Sequence, residues 1–595
     1  MKKNPINLQK SPWIQAITSA FRPSTNCKPR LASVERRRKT PYLRFEQLEF
    51  RNLLASWVEG FGGTGNELTG TLSSSMDPTG NIYLAGQFNS QQIYFDRPDI
   101  TNLTSAGGSD AFAAKYDSNG LMIWARSFGG NYFNDDARAS VYSSEQAGNF
   151  VYVTGIFSGT VNFGGPADTL ISGGAAVDVF VVKLDAANGS TVWSKRIGGA
   201  SSTISTDIVM THDLATNTNK VHISGRFQGT TDFDPGSGTV SLTPVGKGKN
   251  REFDGFLLTL DTNGDHVSVR QFGGSGSDDI HSVETDGTSL FLAGNVAGTI
   301  DLDPGTGVKN ASGPFIAKYA SATSATPTWV QSTNGGFNVA GEGDALYVTG
   351  STAVGATVAK YSKADGGRVW AYQLGGGGAS NTILDPLTGS LYVSGYFSSS
   401  VDFNPGVIGG EVSSSGASDA FLLKLNTTSG DYQQVWRMGG TGVDRARVLG
   451  FRDTTLYASG FFEAVADFPT GDTLTSSGSK DIFLMAFDQS VSAAPLLVNQ
   501  NVLPEQTGSP SVSVEGIVDQ PQITTRQWRS GGKLISQPSS SSTASLTPAG
   551  TRDAHIFVSS RLATKRYNVD LAIADEALND PFHAIVDDLF QQTSR

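Results

Sequence analysis

The chain has 595 residues, of which 38% are hydrophobic and 17% charged, with a net charge of −11, 70 glycines and a single cysteine. That length buries a large core easily, and the acidic balance argues against nucleic acid as a partner, because duplex binding draws much of its affinity from Lys and Arg on phosphates. Cys27 is the only cysteine, so everything after it lacks both disulfides and cysteine metal sites, and no run of about 18 apolar residues offers a membrane-spanning helix.

Residues 1–55 read as a basic N-terminal targeting segment. Positions 1–51 hold 12 Lys and Arg against 3 acids, which leaves the rest of the chain at about −20. An ordinary secretory signal needs an uninterrupted apolar core of about 7–15 residues, and the stretch from Trp13 to Phe21 is too short and too polar for that. Behind the basic run Arg36-Arg37-Arg38-Lys39, residues 44–55 read RFEQLEFRNLLA. This is similar to the LEPRxLL-type element that opens many large secreted or surface proteins of planctomycete bacteria, with Phe50 where that family often has Pro or Asp. The resemblance implies export to the cell surface or beyond.

From Trp57 to Asp488 one pattern is written seven times: Trp, a Gly-Gly corner, a polar stretch, Tyr-x-x-Gly, a loop rich in Asp and Gly, then Asp-x-Phe-x-x-Lys. The Tyr-x-x-Gly element falls at Tyr83/Gly86, Tyr152/Gly155, His222/Gly225, Phe291/Gly294, Tyr347/Gly350, Tyr392/Gly395 and Tyr457/Gly460. The corner falls at Gly62, Gly129, Gly198, Gly273, Gly335, Gly375 and Gly439, a period of about 60 residues, with the fifth copy clipped and the fourth stretched. Runs such as IYLAGQF, VYVTGIF and LYVSGYF, bounded by Asn-Gly, Gly-Gly or Asp-Pro, are short strands joined by hairpins. About four strands per copy predict an all-β, seven-bladed β-propeller over residues 56–488. The region opens on a Trp strand and ends without one, so the N-terminal strand is expected to complete the last blade and close the ring.

The units DAFAAKYDSNGLMIWARSFGG, DVFVVKLDAANGSTVWSKRIGG and DAFLLKLNTTSGDYQQVWRMGG resemble the bacterial β-propeller repeat family labelled SBBP, across nearly three quarters of the chain. The resemblance implies architecture and a surface or secreted location, and little about chemistry.

Residues 489–510 read as a linker. Residues 511–595 read as a small C-terminal β-rich module ending in an amphipathic helix, because Phe582, Ile585, Val586, Leu589 and Phe590 form one apolar helical stripe behind Pro581.

The residues most able to carry chemistry are acidic loops after the Tyr-x-x-Gly strand. Asp232 and Asp234, Asp301 and Asp303, and Asp402 recur in equivalent places, and alternate Asp side chains on one strand face offer oxygen ligands for calcium. The plainer reading is turn chemistry, with Asp accepting backbone hydrogen bonds, Pro presetting φ and Gly supplying positive φ. Asp261-Thr262-Asn263-Gly264-Asp265 opens like a calcium loop, but His266 and Phe272 stand at the positions that need Gly and an acid, so an Asn-Gly hairpin turn is expected. VKLDAANGSTVW and AKYSKADGGRVW resemble the tryptophan-docking repeats of quinone-dependent dehydrogenases, from which this chain departs in blade number and in having no cysteine in the body. The histidines form no closely spaced ligand pair, and His222 takes a Tyr position of the repeat, so packing is expected of it. There is no Walker loop and no Gly-x-Ser-x-Gly elbow. The recurrent Trp residues are expected to fill the wedges between blades; the fourth copy lacks its Trp and offers Val267 and Val269, which predicts a looser blade there.

The sequence therefore reads as a secreted or cell-surface, non-enzymatic propeller that serves as an interaction or scaffold protein through its loops. Its partner would be a protein or polysaccharide of the cell envelope, with no cofactor beyond a possible calcium ion. The alternative is a carbohydrate-active enzyme or lectin-like glycan binder that uses carboxylates in the central channel.

Overall fold

The computed structural model describes residues 56–489 apart from 95–101, 131–134, 165–167, 175, 214–216, 246–251, 304–306, 337, 406 and 408–409. The targeting segment, nearly all of the linker, the C-terminal module and its helix lie outside the described residues. Among the described residues there is no α-helix; antiparallel strands carry the whole architecture.

The strands form a four-stranded antiparallel meander that recurs along the chain. Sheet 1 comprises Glu67–Met76, Ile82–Phe88, Asp110–Tyr116 and Met122–Gly130. Sheet 2 comprises Asp136–Glu145, Gly148–Phe157, Asp178–Asp185 and Thr191–Gly199. Sheet 3 comprises Thr203–Asp213, Thr218–Phe227, Asp254–Asp261 and His266–Phe272. Sheet 4 comprises Asp279–Thr285, Leu290–Asp301, Asn310–Tyr319 and Trp329–Ser332. Sheet 5 comprises Asn338–Glu342, Ala345–Thr352, Gly355–Ser362 and Arg368–Gln373. Sheet 6 comprises Gly378–Leu384, Ser390–Phe397, Asp419–Asn426 and Tyr432–Gly440. Sheet 7 comprises Arg445–Arg452, Thr455–Asp467 and Thr473–Asp488, and its fourth strand is Trp57–Phe61 from the other end of the domain, paired from Trp57↔Ala486 to Phe61↔Ile482.

The first strand of each sheet packs beside the first strand of the next, and the first strand of sheet 7 packs beside that of sheet 1. This cyclic neighbour order, closed by a strand from the opposite terminus, is the topology of a β-propeller.

Each Tyr-x-x-Gly strand is covered on both sides by neighbouring sheets, which is why Ile82–Phe88 is buried at every position and reads as a continuous apolar run. The glycine of the motif answers a close approach. A Cβ at Gly86, Gly155, Gly225, Gly395 or Gly460 would strike both the backbone of the inner strand and the ring of Phe112, Phe180, Phe256, Phe421 or Phe483, the Phe of Asp-x-Phe.

The rest of the motif joins one sheet to the next. Trp124 Nε1 and Lys115 Nζ, cross-strand partners in sheet 1, both donate to the Ala186 carbonyl in the last hairpin of sheet 2, at 3.3 and 2.8 Å. The same clasp recurs: Lys183 and Trp193 meet at Thr262 O, Lys318 and Trp329 at Lys363 O, and Lys360 and Trp370 at Thr427 O. The hairpin glycines Gly120, Gly189 and Gly264 sit at φ of 82°, 70° and 80° against the rings of Trp57, Trp124 and Trp193. The Asn-Gly hairpin expected at 263–264 is therefore present, as are its counterparts at 119–120 and 188–189, and all three dock on the preceding sheet. In sheet 3 the structure departs from the sequence reading: the register places Ser268, not Val267 or Val269, where the Trp would be, with Thr259 at the Lys position. Arg270 takes over the clasp by donating to Ala322 O at 2.7 Å while its guanidinium lies over the Tyr319 ring.

A second connector explains the long period. Between the second and third strands of a sheet, a small hairpin laps onto the outer strand of the preceding sheet. Residues 160–162 with 169–171 pair onto Gly129–Gly130, Thr231–Asp232 with Ser241–Leu242 onto Gly198–Gly199, and residues 465–467 with 473–475 onto Gly439–Gly440. The fifth copy is short because its second and third strands join through a tight turn, with Thr352 paired to Gly355.

Candidate functional site

The acidic loops singled out in the sequence are the tips of hairpins between the second and third strands of their sheets: Asp232 lies on the hairpin that laps onto Gly198–Gly199, while Asp301 pairs with Asn310 and Asp402 with Glu411 in their own hairpins. The residue between the two acids is driven inward: Phe233 and Phe403 are fully buried and Leu302 nearly so, and Phe233 lies 5.2 and 5.0 Å from the rings of Phe227 and Phe256. The flanking acids fold the turn. Asp232 Oδ1 accepts the Asp234 and Val240 N–H groups at 3.1 and 2.9 Å, and Asp234 Oδ1 accepts that of Gly236 at 2.8 Å. Asp301 Oδ1 accepts the N–H groups of Asp303 and Lys309 at 3.0 and 2.8 Å, and Asp402 Oδ1 accepts that of Asn404 at 2.9 Å. These two donors hold the exposed Asp301 carboxyl below its usual range. Each loop is thus a self-contained Asx turn, and among the described residues no group of three or more His, Cys, Asp or Glu side chains is arranged to hold a metal ion. At the loop that opens like a calcium loop, Asp261 Oδ1 accepts the Asn263 and Asp265 N–H groups, closing an ordinary hairpin.

A set of buried acids escaped the sequence reading. Asp135 Oδ2 accepts the Gly130 N–H at 3.1 Å and its Oδ1 that of Ser158 at 2.9 Å, tying the outer strand of sheet 1 to the second strand of sheet 2. Asp278 does the same with Gly274 and Ala297, Asp444 with Gly440 and Glu463, and Glu67 with Gly63 and Ser90. Burial, helped by a second acid behind the Gly-Gly corner (Asp110, Asp254 and Asp419 respectively), pushes Asp135 up to about 7 and Asp278 and Asp444 up to about 6. Their signal in the sequence is an acid four or five residues after a Gly-Gly corner, as in GGSGSD and GGTGVD.

The remaining site lies on the ring axis. The seven inner strands line a cavity of about 270 Å³, to which Ser74, Ser140, Asp207, Ser282, Asn338, Asn381 and Arg447 contribute one side chain from each sheet. Five of them share a level: Asp207, Ser282, Asn338, Asn381 and Arg447 each pair with the residue just before the Tyr-x-x-Gly glycine, namely Ser224, Ala293, Thr349, Ser394 and Ser459. Asp207, Ser282 and Asn381 follow β-bulges at Thr206, His281 and Ser380, and a bulge re-aims the side chains around it.

At this level one inner strand is stitched to the next. Asp207 Oδ2 accepts Ser282 Oγ–H at 2.8 Å and Val283 N–H at 2.9 Å, while its Oδ1 accepts Ile208 N–H at 2.8 Å. Ser282 Oγ accepts Val339 N–H at 3.4 Å, and Asn381 Nδ2 donates to Val448 O at 3.0 Å. Burial lifts Asp207 to about 6 despite its three donors. Glu284, also on the cavity wall, is lifted to about 7 by burial and by the neighbouring Asp207. Arg447 is lowered to about 10 by burial and by Arg445. It is still charged at neutral pH.

His222 is fully buried with its ring nitrogens against Thr211 Oγ1 and Thr259 Oγ1 at 2.8 and 3.0 Å, and burial depresses it to about 3. It is a neutral packing residue of sheet 3.

No family model matches the chain, and no curated protein is similar to it. Among solved structures, the Dos1 propeller is similar at 9% identity and a TM-score of 0.37, covering 73% of this chain and 95% of that one. A chain in a crystal structure of the mitotic checkpoint complex is similar at 10% identity and a TM-score of 0.35, covering 78% of this chain and 99% of the other. Likeness at this level carries no function. The propeller assignment stands on the strand pairing itself.

Proposed function

We propose that this chain is a secreted or cell-surface, non-enzymatic β-propeller of seven blades that acts as an interaction or scaffold protein through the loops of a rigid ring. The observation that carries this reading is where the recurrent residues are spent. The Trp and Lys of the repeat clasp the next sheet, the Phe fills the space over the Tyr-x-x-Gly glycine, and the acids of the loops cap turns. Nothing that repeats is left over as a reactive group, whereas the connecting loops differ from copy to copy, and loops on a rigid scaffold are where binding residues concentrate. The SBBP-like repeat and the LEPRxLL-like leader support the same location, and a protein or polysaccharide of the envelope is the partner this location supplies. Calcium remains an accessory of the Asp232, Asp234, Asp301, Asp303 and Asp402 loops under this reading and not a requirement.

The test is a screen of the full-length protein against a glycan array and isolated envelope polysaccharide and protein, with calcium and again with chelator. Saturable binding of a polymer or an envelope protein is expected. Turnover of a bound glycan would overturn the non-enzymatic reading.

A second reading is favoured by one observation: two carboxylates, Asp207 and Glu284, share the channel cavity and repel one another, the arrangement that glycoside cleavage draws on. Asp207 is already committed to three donors, which supports holding a glycan over cleaving one. Loss of glycan turnover in Glu284→Gln would establish the enzyme instead.

A further inference from the structure

One of the seven Gly-Gly corners departs from the rest. The residue before the corner is apolar and buried in six copies, as Phe61, Phe128, Ile197, Phe272, Leu374 and Met438, and in the remaining copy it is the exposed Asn334. The fold explains the exchange. Phe128 stacks at 5.3 Å on Phe163, which the lapping hairpin of sheet 2 brings over it, whereas sheet 5 joins its second and third strands by the tight turn at 352–355 and has no such hairpin to lay over the corner of sheet 4. An apolar side chain there would face water. The Asn that replaces it precedes Gly335, and Asn is a chemically labile residue, most of all where glycine follows.

We propose that Asn334 is a modification site, the one Asn-Gly pair of four in the chain that the fold leaves free to deamidate. In that reaction the Gly335 nitrogen gives up its proton to a base from solvent and bonds to Asn334 Cγ, the Cγ–Nδ2 bond breaks, and ammonia leaves with a proton returned by solvent. The succinimide then takes up water at either carbonyl to give aspartate or isoaspartate. Water is the only co-reactant, and each event replaces a neutral amide with a carboxylate. The proposal is independent of what the outer loops or the channel bind.

The other three pairs are held against this chemistry. Gly120 N–H donates to Asp117 O at 3.1 Å, Gly189 N–H to Asp185 O at 2.8 Å and Gly264 N–H to Asp261 O at 3.0 Å, so each attacking nitrogen is tied into its hairpin with its proton engaged. Two of the carboxamides are engaged as well: Asn188 Oδ1 accepts Ser190 N–H at 2.8 Å, and Asn263 Nδ2 donates to Asp261 Oδ2 at 3.4 Å. Among the described residues neither the Asn334 carboxamide nor the Gly335 N–H has a hydrogen-bond partner. Glycine is also required at 335, because φ is 139° and a Cβ would come within 2.9 Å of Ser351 O in sheet 5; the least hindered nitrogen a chain can offer thus follows the exposed amide. Gly335 and Gly336 are themselves buried, with Gly336 against Val348 of sheet 5. Isoaspartate routes the chain through the side chain and adds a backbone carbon, a change that this junction between sheets 4 and 5 has to absorb.

The experiment incubates the full-length protein in warm, mildly alkaline buffer, folded and in urea, and follows all four pairs by peptide mapping with tandem mass spectrometry. In the folded protein Asn334 should convert first, by at least about tenfold over Asn119, Asn188 and Asn263, the factor that one hydrogen bond to the attacking nitrogen is worth. In urea the four rates should come together. Equal rates in the folded protein, an Asn334 that stays intact while the unfolded chain converts, or the same preference for Asn334 in urea would each overturn the proposal, the last by placing the cause in local sequence. Asn334→Gln should abolish the first acidic species on ion exchange with the melting temperature held, since the side chain is exposed; persistence of that species in the variant would overturn the assignment to Asn334. Converted protein should melt below freshly prepared Asn334→Asp, which adds the charge without the extra backbone carbon, and equal melting would refute the effect on the junction.

Discussion

The clasp between sheets makes a prediction whose sign is unusual. Ala186 is 2% exposed and its carbonyl receives two donors, Lys115 Nζ and Trp124 Nε1. Trp124→Phe removes one N–H and keeps most of the ring, at a cost of about 1 kcal/mol for the hydrogen bond. Lys115→Met removes the other and keeps the stem; since burial already pulls the Lys115 ammonium below its usual range, that loss is also about 1 kcal/mol or less. Either single variant leaves the carbonyl one donor. The double variant leaves it none, and a buried acceptor with no partner costs a further 1–3 kcal/mol or so. Urea unfolding of the wild type, both singles and the double should therefore give a double-variant loss exceeding the sum of the singles by about 1–3 kcal/mol. Additivity within about 0.5 kcal/mol would refute the shared-acceptor account and reduce the clasp to plain packing. Trp436 supplies the control, because its Nε1 is buried without a partner: Trp436→Phe should cost less than Trp124→Phe despite equal burial.

Two further outcomes follow from the buried and capping acids. Burial raises Asp135 and Glu284 to about 7 and Asp207, Asp278 and Asp444 to about 6, against roughly 4 in the unfolded chain; the folded state then holds more protons between those values, so their contribution is fully present below about pH 4 and is lost as pH rises through 6 to 7. The melting temperature should accordingly be higher near pH 5 than near pH 7.5, and a rise over that interval would contradict the burial of these acids. Asp232→Ala removes the cap for two backbone N–H groups and should cost about 1–2 kcal/mol, measured by urea unfolding, equally in calcium and in chelator; a loss confined to calcium would make the loop a metal site.

What the sequence disclosed and what it withheld divide along a physical line. The strands, their order, the closing role of Trp57–Phe61 and the packing role of most Trp residues were legible because the motif recurs at a nearly fixed phase; Trp436 departs from it, pairing with Leu422 while Gln434 stands opposite Lys424. The partner of each recurrent residue was not, since Trp124 and Lys115 meet Ala186 in the following sheet, a relation that no local window contains. The acids after the Gly-Gly corners carry no local mark of burial; only the fold turns Asp135 and Asp278 inward. Sheet 3 misled for a related reason. With no aromatic ring to mark the position, the flanking Val267 and Val269 drew the reading, whereas the register, with the same bulge as in the other sheets, puts Ser268 there.

The channel was illegible for the opposite cause. Its residues occupy one register position yet share no residue type: Asp207, Ser282, Asn338, Asn381 and Arg447 follow no pattern that repetition would expose, and bulges displace three of them relative to the Tyr-x-x-Gly count. A ring of repeated sheets has to satisfy the same contacts at every junction, so the positions that bind sheet to sheet are forced toward one residue type. A ligand on the axis meets each sheet at a different angle and needs a different group from each. In such a molecule repetition marks what holds the ring, and departure from repetition at a single structural level is where a site is to be sought. The unlike residues at this level satisfy that criterion.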